Sequence, residues 1–407
     1  MSKITNMKKT VHIIRFSILC SLVWGCSHTS PNDKIIQTEL SARTDSTITI
    51  NIASCSVNQY PISKLIDSVR YVALENSDSA LIGIIKNIKV TKDLIYVSDL
   101  KNNSLKCFDK SGKFIRSAFK TGRGPEEIAH FTDFDIDDDF LYVLDGAKVA
   151  VHFYDHNGNY IKKVQLPFRA QQMKHLSNNH YLFELSPFGV NNNPTSNLVV
   201  YTNNEFKPVK YYLEYIEGAS CGVDFENQLN STYFSSSRGN GFYERKDSSF
   251  FMKYYLDFDG KYFNRDKEKD GFKEAVEQDV YFNTTSPFQN EKYLFCCYYA
   301  GLKREGVLFV DLNDNKALFV KKLIQDRADL IDFSFSFTMG YDVSNNEFYG
   351  ICNTFNTSDI TANKEDAIKA IRQRMPKEVQ ASLLHEDGDK SVNQILLFYK
   401  LKDKLNF

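Results

Sequence analysis

The sequence predicts an all-β fold, a six-bladed β-propeller of four-stranded antiparallel blades. The main observation is an internal repeat of 46 residues, which has the length of one propeller blade. The second is composition, because 14% of the 407 residues are aromatic and β-branched residues recur in short runs, as in strands. The third is that one segment near the C-terminus breaks the β pattern with apolar residues at helical spacing. We expect this segment to be a helical insertion in the β fold.

The repeat aligns residues 88–99 with residues 134–145, and residues 108–115 with residues 154–161, without a gap. Each unit reads as four strands, and the turn before the fourth strand carries Gly112 or Gly158. Weaker copies occur at 255–263 and 308–315. Between about residues 69 and 401 there is room for six units of roughly 55 residues, although five or seven blades also fit this length. A single such sheet exposes both faces, so we expect the blades to pack radially.

A closed ring requires the two ends of the chain to meet, because an open ring would leave unpaired strand edges. The alternating segment 47–52 and the C-terminal segment 394–401 are the candidates. We expect them to share one blade.

The helical pattern covers residues 363–384, which place Ile368, Ile371, Val379 and Leu383 at helical spacing. Pro376 would interrupt or kink this helix. We expect a helical insertion that packs on the last blade. A lid or a docking helix is the functional alternative.

The N-terminus predicts export. Basic residues precede a short apolar stretch that ends in Gly25 and Cys26, and this stretch is about half of the roughly 20 residues that a spanning helix needs. We expect residues 1–25 to be a lipoprotein signal peptide, Cys26 to be lipidated, residues 26–46 to form a flexible tether, and residues 47–407 to form the propeller. Ordinary secretion with an unmodified Cys26 is the alternative.

The charge balance argues against nucleic acid as a partner. Removal of residues 1–25, which contain four basic and no acidic residues, moves the formal net charge from −1 to −5, and the lysines do not cluster. Six cysteines remain besides Cys26, scattered and without C-x-x-C spacing. We expect most of them to be small buried residues, with disulfides as the alternative in an exported protein.

Three segments carry a resemblance to a known family: residues 69–75 before the first blade, residues 94–99 within it, and residues 122–127 after it. Together with the segment around Cys26, they resemble the six-bladed β-propeller lipoproteins of Bacteroidetes, which are related to NHL-repeat and TolB-like propellers. The resemblance implies an exported propeller of mostly unassigned activity.

Several patterns suggest catalysis or metal binding. The acidic run at Asp133, Asp135 and residues 137–139 could be a calcium loop, but the repeat aligns Asp135 with Lys89, which predicts an outward position on a strand. Residues 218–222 match G-x-S-x-G without the helix that should follow. The histidines lack the i, i+4 spacing of zinc enzymes, and no phosphate-binding or dinucleotide motif occurs. The sequence therefore predicts no metal and no cofactor.

The loop at residues 121–127 is the strongest candidate for a ligand site. Arg123 offers a planar fork for a carboxylate, a phosphate or a sugar hydroxyl, and we expect Glu126, Glu127 and His130 to contribute to binding. The structural alternative is a blade connection in which Arg123 pairs with Glu126 or Glu127.

We therefore expect a lipid-anchored protein of the cell envelope, on the periplasmic face or the cell surface, whose propeller binds a glycan, a peptide or a partner protein. No persuasive catalytic set supports an enzyme. The alternative is a carbohydrate-active enzyme, a glycoside hydrolase or lyase, which would need two carboxylates from different blades facing each other across the channel. A structural scaffold is a third possibility, which a large exposed apolar patch would favour.

Overall fold

The computed structural model describes most of the chain after residue 43. Its described residues are 36–37, 44–176, 179–185, 197–214, 233–235, 240–262, 280–283, 287–300, 303–327, 329–330, 333–352, 369, 372–373, 377, 379–380 and 393–406.

Five strands precede the first complete blade. They are β1 (Ile36–Gln37), β2 (Ile48–Asn51), β3 (Ser56–Val57), β4 (Tyr60–Pro61) and β5 (Ile66–Ala73).

Blades 1, 2 and 3 are continuous in sequence, as the repeat predicts. Blade 1 consists of β6 (Ile85–Val90), β7 (Leu94–Asp99), β8 (Ser104–Asp109) and β9 (Phe114–Ser117). Blade 2 consists of β10 (Phe131–Ile136), β11 (Leu141–Asp145), β12 (Ala150–Tyr154) and β13 (Tyr160–Gln165). Blade 3 consists of β14 (Ala170–Leu176), β15 (His180–Leu185), β16 (Asn197–Thr202) and β17 (Pro208–Glu214), and β1 pairs with β17 in parallel.

Blades 4, 5 and 6 incorporate the N-terminal strands. Blade 4 consists of β18 (Tyr233–Ser235), β19 (Gly241–Lys246), β20 (Ser249–Asp257) and β2. Blade 5 consists of β21 (Tyr281–Asn283), β22 (Phe288–Gln289), β23 (Tyr293–Ala300), β24 (Lys303–Asp311), β25 (Ala317–Val320) and β3. A short pair joins β26 (Leu323–Ile324) to β4. Blade 6 consists of β27 (Thr338–Asp342), β28 (Glu347–Cys352), β29 (Ile395–Leu401) and β5.

The six-bladed architecture is confirmed, and the hydrophobic core shows how the ring holds together. Each junction between neighbouring blades contains one cluster of buried apolar side chains, including the junction between blades 6 and 1. Because successive residues of a strand point to opposite faces, Cys296 and Cys297 belong to the clusters on the two sides of blade 5. Cys107, Cys296, Cys297 and Cys352 are buried, as the sequence predicts.

The last hairpin of blades 1 and 2 explains why the repeat is visible in the sequence. Asp109 ends β8, and its carboxylate accepts hydrogen bonds from the amides of Ser111 (2.8 Å) and Lys113 (3.0 Å). Asp155 does the same for Asn157 and Asn159 in blade 2. Gly112 and Gly158 follow with φ angles of +91° and +87°, the region that favours glycine. These side-chain turns are therefore equivalent in the two blades.

Ring closure uses a different N-terminal strand from the one predicted. The C-terminal strand β29 pairs antiparallel with β5, whereas β2, which covers most of the predicted segment 47–52, pairs in parallel with β20 of blade 4. The prediction of a closing blade that contains the C-terminal strand was right, but its partner was wrong. Alternation of apolar residues marks both segments as strands without specifying which sheet edge each one meets.

Residues 36–37, which the sequence places in the tether, lie in a strand on the outer edge of blade 3. The predicted signal peptide, Cys26 and residues 218–222 lie outside the described residues. Most of the predicted helical insertion at 363–384 does so as well, and no complete helix is described there. Within it, Val379 is buried with the apolar cluster between blades 5 and 6.

Candidate functional site

The loops that link one blade to the next lie at one end of the propeller. We call the end with the β7–β8 and β11–β12 turns and the connections between blades the connection face. In antiparallel four-stranded blades, the second-to-third turn and the link to the next blade lie at the same end of the sheet. The loop at residues 121–130, which links β9 to β10, therefore belongs to the connection face.

The backbone of this loop is held by its neighbours. The ammonium group of Lys148 donates to the carbonyl oxygens of Gly124 and Glu127, both at 2.6 Å. The Tyr154 hydroxyl donates to the carbonyl oxygen of Glu126 at 3.1 Å. Farther along, the carboxylate of Asp145 accepts the amide of His130 at 3.2 Å. Fastened to blade 2 in this way, the loop is a preorganised platform rather than a loose connection.

Glu127 is part of the internal structure of the loop. Its Oε2 accepts the amide of Gly124 at 2.8 Å, and a Cβ atom added at Gly122 would lie 2.0 Å from the same oxygen. A side chain at Gly122 would therefore displace the Glu127 carboxylate from this position. Glu127 thus stabilises the loop, and one of its oxygens is committed to that role.

Arg123 is exposed and available. Among the described residues, its guanidinium forms no hydrogen bond and no ion pair, so the predicted alternative in which it pairs with Glu126 or Glu127 is not observed. Glu126 and His130 are also exposed. The loop therefore combines a fixed backbone with an unpaired cation, a carboxylate and an imidazole at its surface.

A second group of charges lies inside the molecule, in the wall between blades 1, 2 and 3. We call Lys89, Asp133, Asp135 and Lys174 the charged seam. All four are buried. The Lys89 ammonium lies 2.6 Å from Asp135 Oδ1, and the Lys174 ammonium lies 3.9 Å from Asp135 Oδ2.

The seam also satisfies backbone groups. β14 is the edge strand of its sheet, and the amide of Met173 donates to Asp133 at 2.8 Å while that of His175 donates to Asp135 at 2.6 Å. Carboxylates thus replace the missing neighbouring strand, because a buried amide without an acceptor is costly.

Burial and charge shift the pKa values of the seam in different directions. Burial raises the pKa of Asp133. Burial also acts to raise the pKa of Asp135, but Lys174 and Lys89 outweigh it and lower that pKa. For Lys174, burial lowers the pKa to about 7. Lys174 therefore titrates in the neutral range although it is a lysine.

Next to the charged seam, an aspartate contacts a histidine. Asp137 Oδ2 lies 3.3 Å from His175 Nδ1 and also accepts the Tyr142 hydroxyl, whose ring stacks on the imidazole at 5.2 Å between centroids. His175 Nε2 is buried and has no hydrogen-bond partner among the described residues. This nitrogen therefore has no access to solvent.

The predicted outward position of Asp135 was wrong, since the residue is fully buried. The innermost strand of a blade is covered on both faces by its neighbours, so the solvent face expected of an alternating strand does not exist there. The 46-residue alignment could have predicted this burial. It places Lys89 over Asp135, and these two residues of adjacent blades form the ion pair.

Within the described ranges, no group of three or more His, Cys, Asp or Glu residues is arranged to hold a metal ion. The acidic run is used by the fold instead. Asp137 caps the β10–β11 turn through the amides of Asp139 and Phe140, and Asp138 is exposed.

Three solved structures of low sequence identity are similar to this chain to different degrees. A Bacteroides fragilis protein whose name describes it as exported has a TM-score of 0.61 at 16% identity, over 91% of this chain and 100% of that chain. A DUF4221 family member from Bacteroides vulgatus has a TM-score of 0.44 at 9% identity, over 83% and 97%. Virginiamycin B lyase from Staphylococcus aureus has a TM-score of 0.39 at 12% identity, over 70% and 81%.

A family model described as a domain of unknown function, DUF4934, matches residues 47–400. No protein of curated function matches the sequence. In the part of the chain that is described, no helix has the length and hydropathy needed to cross a membrane.

Proposed function

Because this chain belongs to the DUF4934 family of domains of unknown function, its role must be argued from its own geometry, and we propose that it is a recognition module of the cell envelope. In this proposal, the connection face binds a ligand and the propeller serves as a rigid support. A glycan is the preferred ligand, with a peptide or a partner protein as the other candidates.

One observation carries the proposal. Arg123 stands exposed and unpaired among the described residues, on a loop whose backbone is held by Lys148, Tyr154 and Asp145. Because the backbone of this loop is already ordered, only the Arg123 side chain loses conformational freedom when its guanidinium binds a carboxylate, a phosphate or a sugar hydroxyl. The loop therefore has the properties of a binding element rather than of a simple connection.

The envelope location in the proposal rests on the N-terminal signal and on the exported name of the Bacteroides fragilis protein of the same fold. Lipidation of Cys26 would hold the propeller at a membrane surface through its acyl chains. We also propose that the protein is related to NHL-repeat and TolB-like propellers.

The enzyme alternative requires two carboxylates that face each other from different blades. The two carboxylates of the charged seam, Asp133 and Asp135, come from one strand, and they are engaged by backbone amides and by lysines. This arrangement favours a structural role for them, so recognition is the preferred function.

The test is a screen of purified residues 27–407 against envelope and dietary polysaccharides by glycan array and thermal shift, with analysis of products for every hit. We expect binding with the ligand intact. The Arg123→Ala variant should bind at least about fivefold more weakly, because one charge-assisted contact is lost, with an unchanged melting temperature.

Lys92→Ala is the matched control, since it removes an exposed positive charge from the β6–β7 turn at the opposite end of blade 1. It should bind like the wild type. Cleaved products would show that the protein is an enzyme rather than a recognition module. If the Arg123→Ala variant loses thermal stability, the loop has a structural role only. If no glycan binds, a pull-down from envelope extract tests for a protein partner.

A further inference from the structure

A cavity of about 420 Å³ opens between blades 5 and 6. Its walls come from β24, from the end of β25 and the residues that follow it, and from the connection to β27. By the topology of the blades, the start of β24 and the link from blade 5 to blade 6 lie on the connection face. The cavity therefore opens on the same face as Arg123, but at another junction of the ring.

A glycine makes the close approach of two strands at this cavity possible. Gly306 has a φ angle of +133°, and a Cβ atom there would lie 2.5 Å from the carbonyl oxygen of Val320. Next to it, the pairing of β23 with β24 shifts register between Tyr298 and Tyr299. A glycine at such an irregularity marks a place where two backbones approach closely. The backbone of β24 therefore determines the shape of this wall of the cavity.

The floor of the cavity is apolar and rigid. Phe333 is buried, and its ring packs edge-on against Phe335 and Tyr399 at centroid distances of 4.8 and 5.1 Å. Phe337 is half-buried, and both this residue and buried Val320 line the cavity. An aromatic ring that is partly exposed in a concave site offers an apolar face to the C–H groups of a sugar ring or to another flat ligand.

Two lysines and two serines provide the polar groups. Lys321 and Lys322 are exposed, and within the described residues neither ammonium has a hydrogen bond or an ion pair. Their backbone is fixed, because the amide of Lys321 donates to Val57 and the carbonyl oxygen of Lys322 accepts from Tyr60, each at 3.0 Å. The lining also contains the hydroxyls of Ser334 and Ser336, and no carboxylate occurs among the described residues that line the cavity.

A second cavity, of about 450 Å³, shows why this composition is informative. It is lined by Lys292, Lys316 and Lys404, but also by Asp311 and Asp314, and Lys316 pairs with Asp314 at 3.3 Å. Two of its three positive charges are therefore offset by its own acidic residues, whereas no described residue that lines the cavity between blades 5 and 6 offsets the charges of Lys321 and Lys322.

We propose that the cavity between blades 5 and 6 binds a carboxylate-bearing sugar of a glycan, a uronic acid. The lysines would hold the carboxylate, the serine hydroxyls the sugar hydroxyls, and Phe337 the apolar face of the ring. Ligand pockets span about 300–1,000 Å³, so this cavity accommodates one or two sugar units. The inference rests on the proposed function, because it names the glycan class that the connection face recognises.

The test is isothermal titration of residues 27–407 with oligosaccharides of galacturonic acid, of mannuronic and guluronic acid, and of hyaluronan. The methyl ester of the galacturonate oligosaccharide keeps the shape and removes the charge. We expect at least one acidic oligosaccharide to bind, with an affinity that falls as salt rises. A methyl ester that binds as tightly as its parent galacturonate ligand would overturn the proposal.

Variants locate the site. The double variant Lys321→Met/Lys322→Met should bind about tenfold more weakly or worse, and Phe337→Ala should also bind more weakly. Lys404→Met, in the second cavity, should bind like the wild type. Thermal unfolding of each variant checks that the fold is retained.

The outcomes separate this inference from the proposed function. Loss of binding in the double lysine variant supports a uronate site between blades 5 and 6, whether or not Arg123→Ala also weakens binding. Loss in Arg123→Ala, with the double lysine variant unaffected, overturns that site but supports recognition at the loop. If no acidic oligosaccharide binds while a neutral glycan does, the uronate inference fails and glycan recognition stands.

Discussion

Asp135 is fully buried and lies between two lysines, although its place in an alternating pattern predicts a solvated side chain. Burial of charge is expensive, and mutual attraction offsets the cost only when the remaining hydrogen-bonding capacity is also used. Here the carboxylate also accepts the amides of Ile136 and His175. We interpret Asp135 as the residue that fixes how the inner strands of blades 1, 2 and 3 meet.

Lys174 provides a pH-dependent test of this interpretation. Burial lowers its pKa to about 7, whereas the pKa in an unfolded chain is about 10.4. Between these values the folded state binds fewer protons than the unfolded state, so the contribution of this residue to the free energy of unfolding rises with pH. Its unfavourable burial is fully present below about pH 7.

The measurement is urea unfolding of the wild type and of Lys174→Met at about pH 6, 7, 8.5 and 10. The free energy of unfolding of the wild type, relative to the variant, should rise by up to about 1.4 kcal/mol per pH unit between pH 7 and 10. A difference that does not change with pH would contradict the lowered pKa. The exposed Lys92→Met variant is the control and should give that flat profile.

At the scale of the element, the final hairpin of blade 1 fits closely against blade 6. A Cβ atom at Gly112 would lie 2.1 Å from the carbonyl oxygen of Ala73 in β5, and the carbonyl oxygen of Gly112 accepts the amide of Glu75 at 2.9 Å. Gly260, after β20 of blade 4, also has a positive φ angle, of +73°, but a Cβ atom added there would meet nothing within 4 Å.

This pair of glycines separates backbone strain from steric contact. Gly260→Ala should lower the free energy of unfolding by about 1 kcal/mol, from the positive φ angle alone. Gly112→Ala should lower it by about 1–3 kcal/mol more, because the added methyl group meets β5. Chemical denaturation of both variants measures the difference. If both variants lose the same free energy of unfolding, the contact between the hairpin and β5 rearranges without an energetic penalty.

At the scale of the whole molecule, stability depends on one strand from the N-terminal part of the chain. β5 pairs with β29 along its length. Arg70 of β5 forms a bidentate contact with Glu347, with its Nε 3.2 Å from Oε1 and its Nη2 2.6 Å from Oε2, and its guanidinium lies 3.7 Å from the Phe398 ring centroid. The side chain of Arg70 thus joins three strands of blade 6.

Removal of this strand should open the ring. A chain that begins at residue 66 retains β5 and should unfold cooperatively, at a lower temperature than the longer protein, because β1 to β4 are lost. A chain that begins at residue 75 leaves the edge of β29 unpaired and should associate or lose its cooperative transition. Calorimetry and size-exclusion chromatography compare the two. Similar cooperative unfolding of both chains would show that closure by β5 is dispensable.

Much of the architecture could be predicted from the sequence by itself. The all-β class, the six blades, the positions of the first two blades and the burial of most described cysteines follow from the 46-residue period, the turn residues Asp109 and Gly112, and strand composition, all of which are local properties. The loop at Arg123 was also recognisable, because its glycines and charged residues stand next to one another in the chain.

Only the tertiary structure decided which distant segments meet. It selected β5 rather than β2 as the closing strand, placed Lys89, Asp135 and Lys174 in one buried seam, and brought Lys321 and Phe337 to one cavity. The physical reason is that strand alternation encodes two faces but not their neighbours, so the partner of a face or an edge is determined by the closure of the ring.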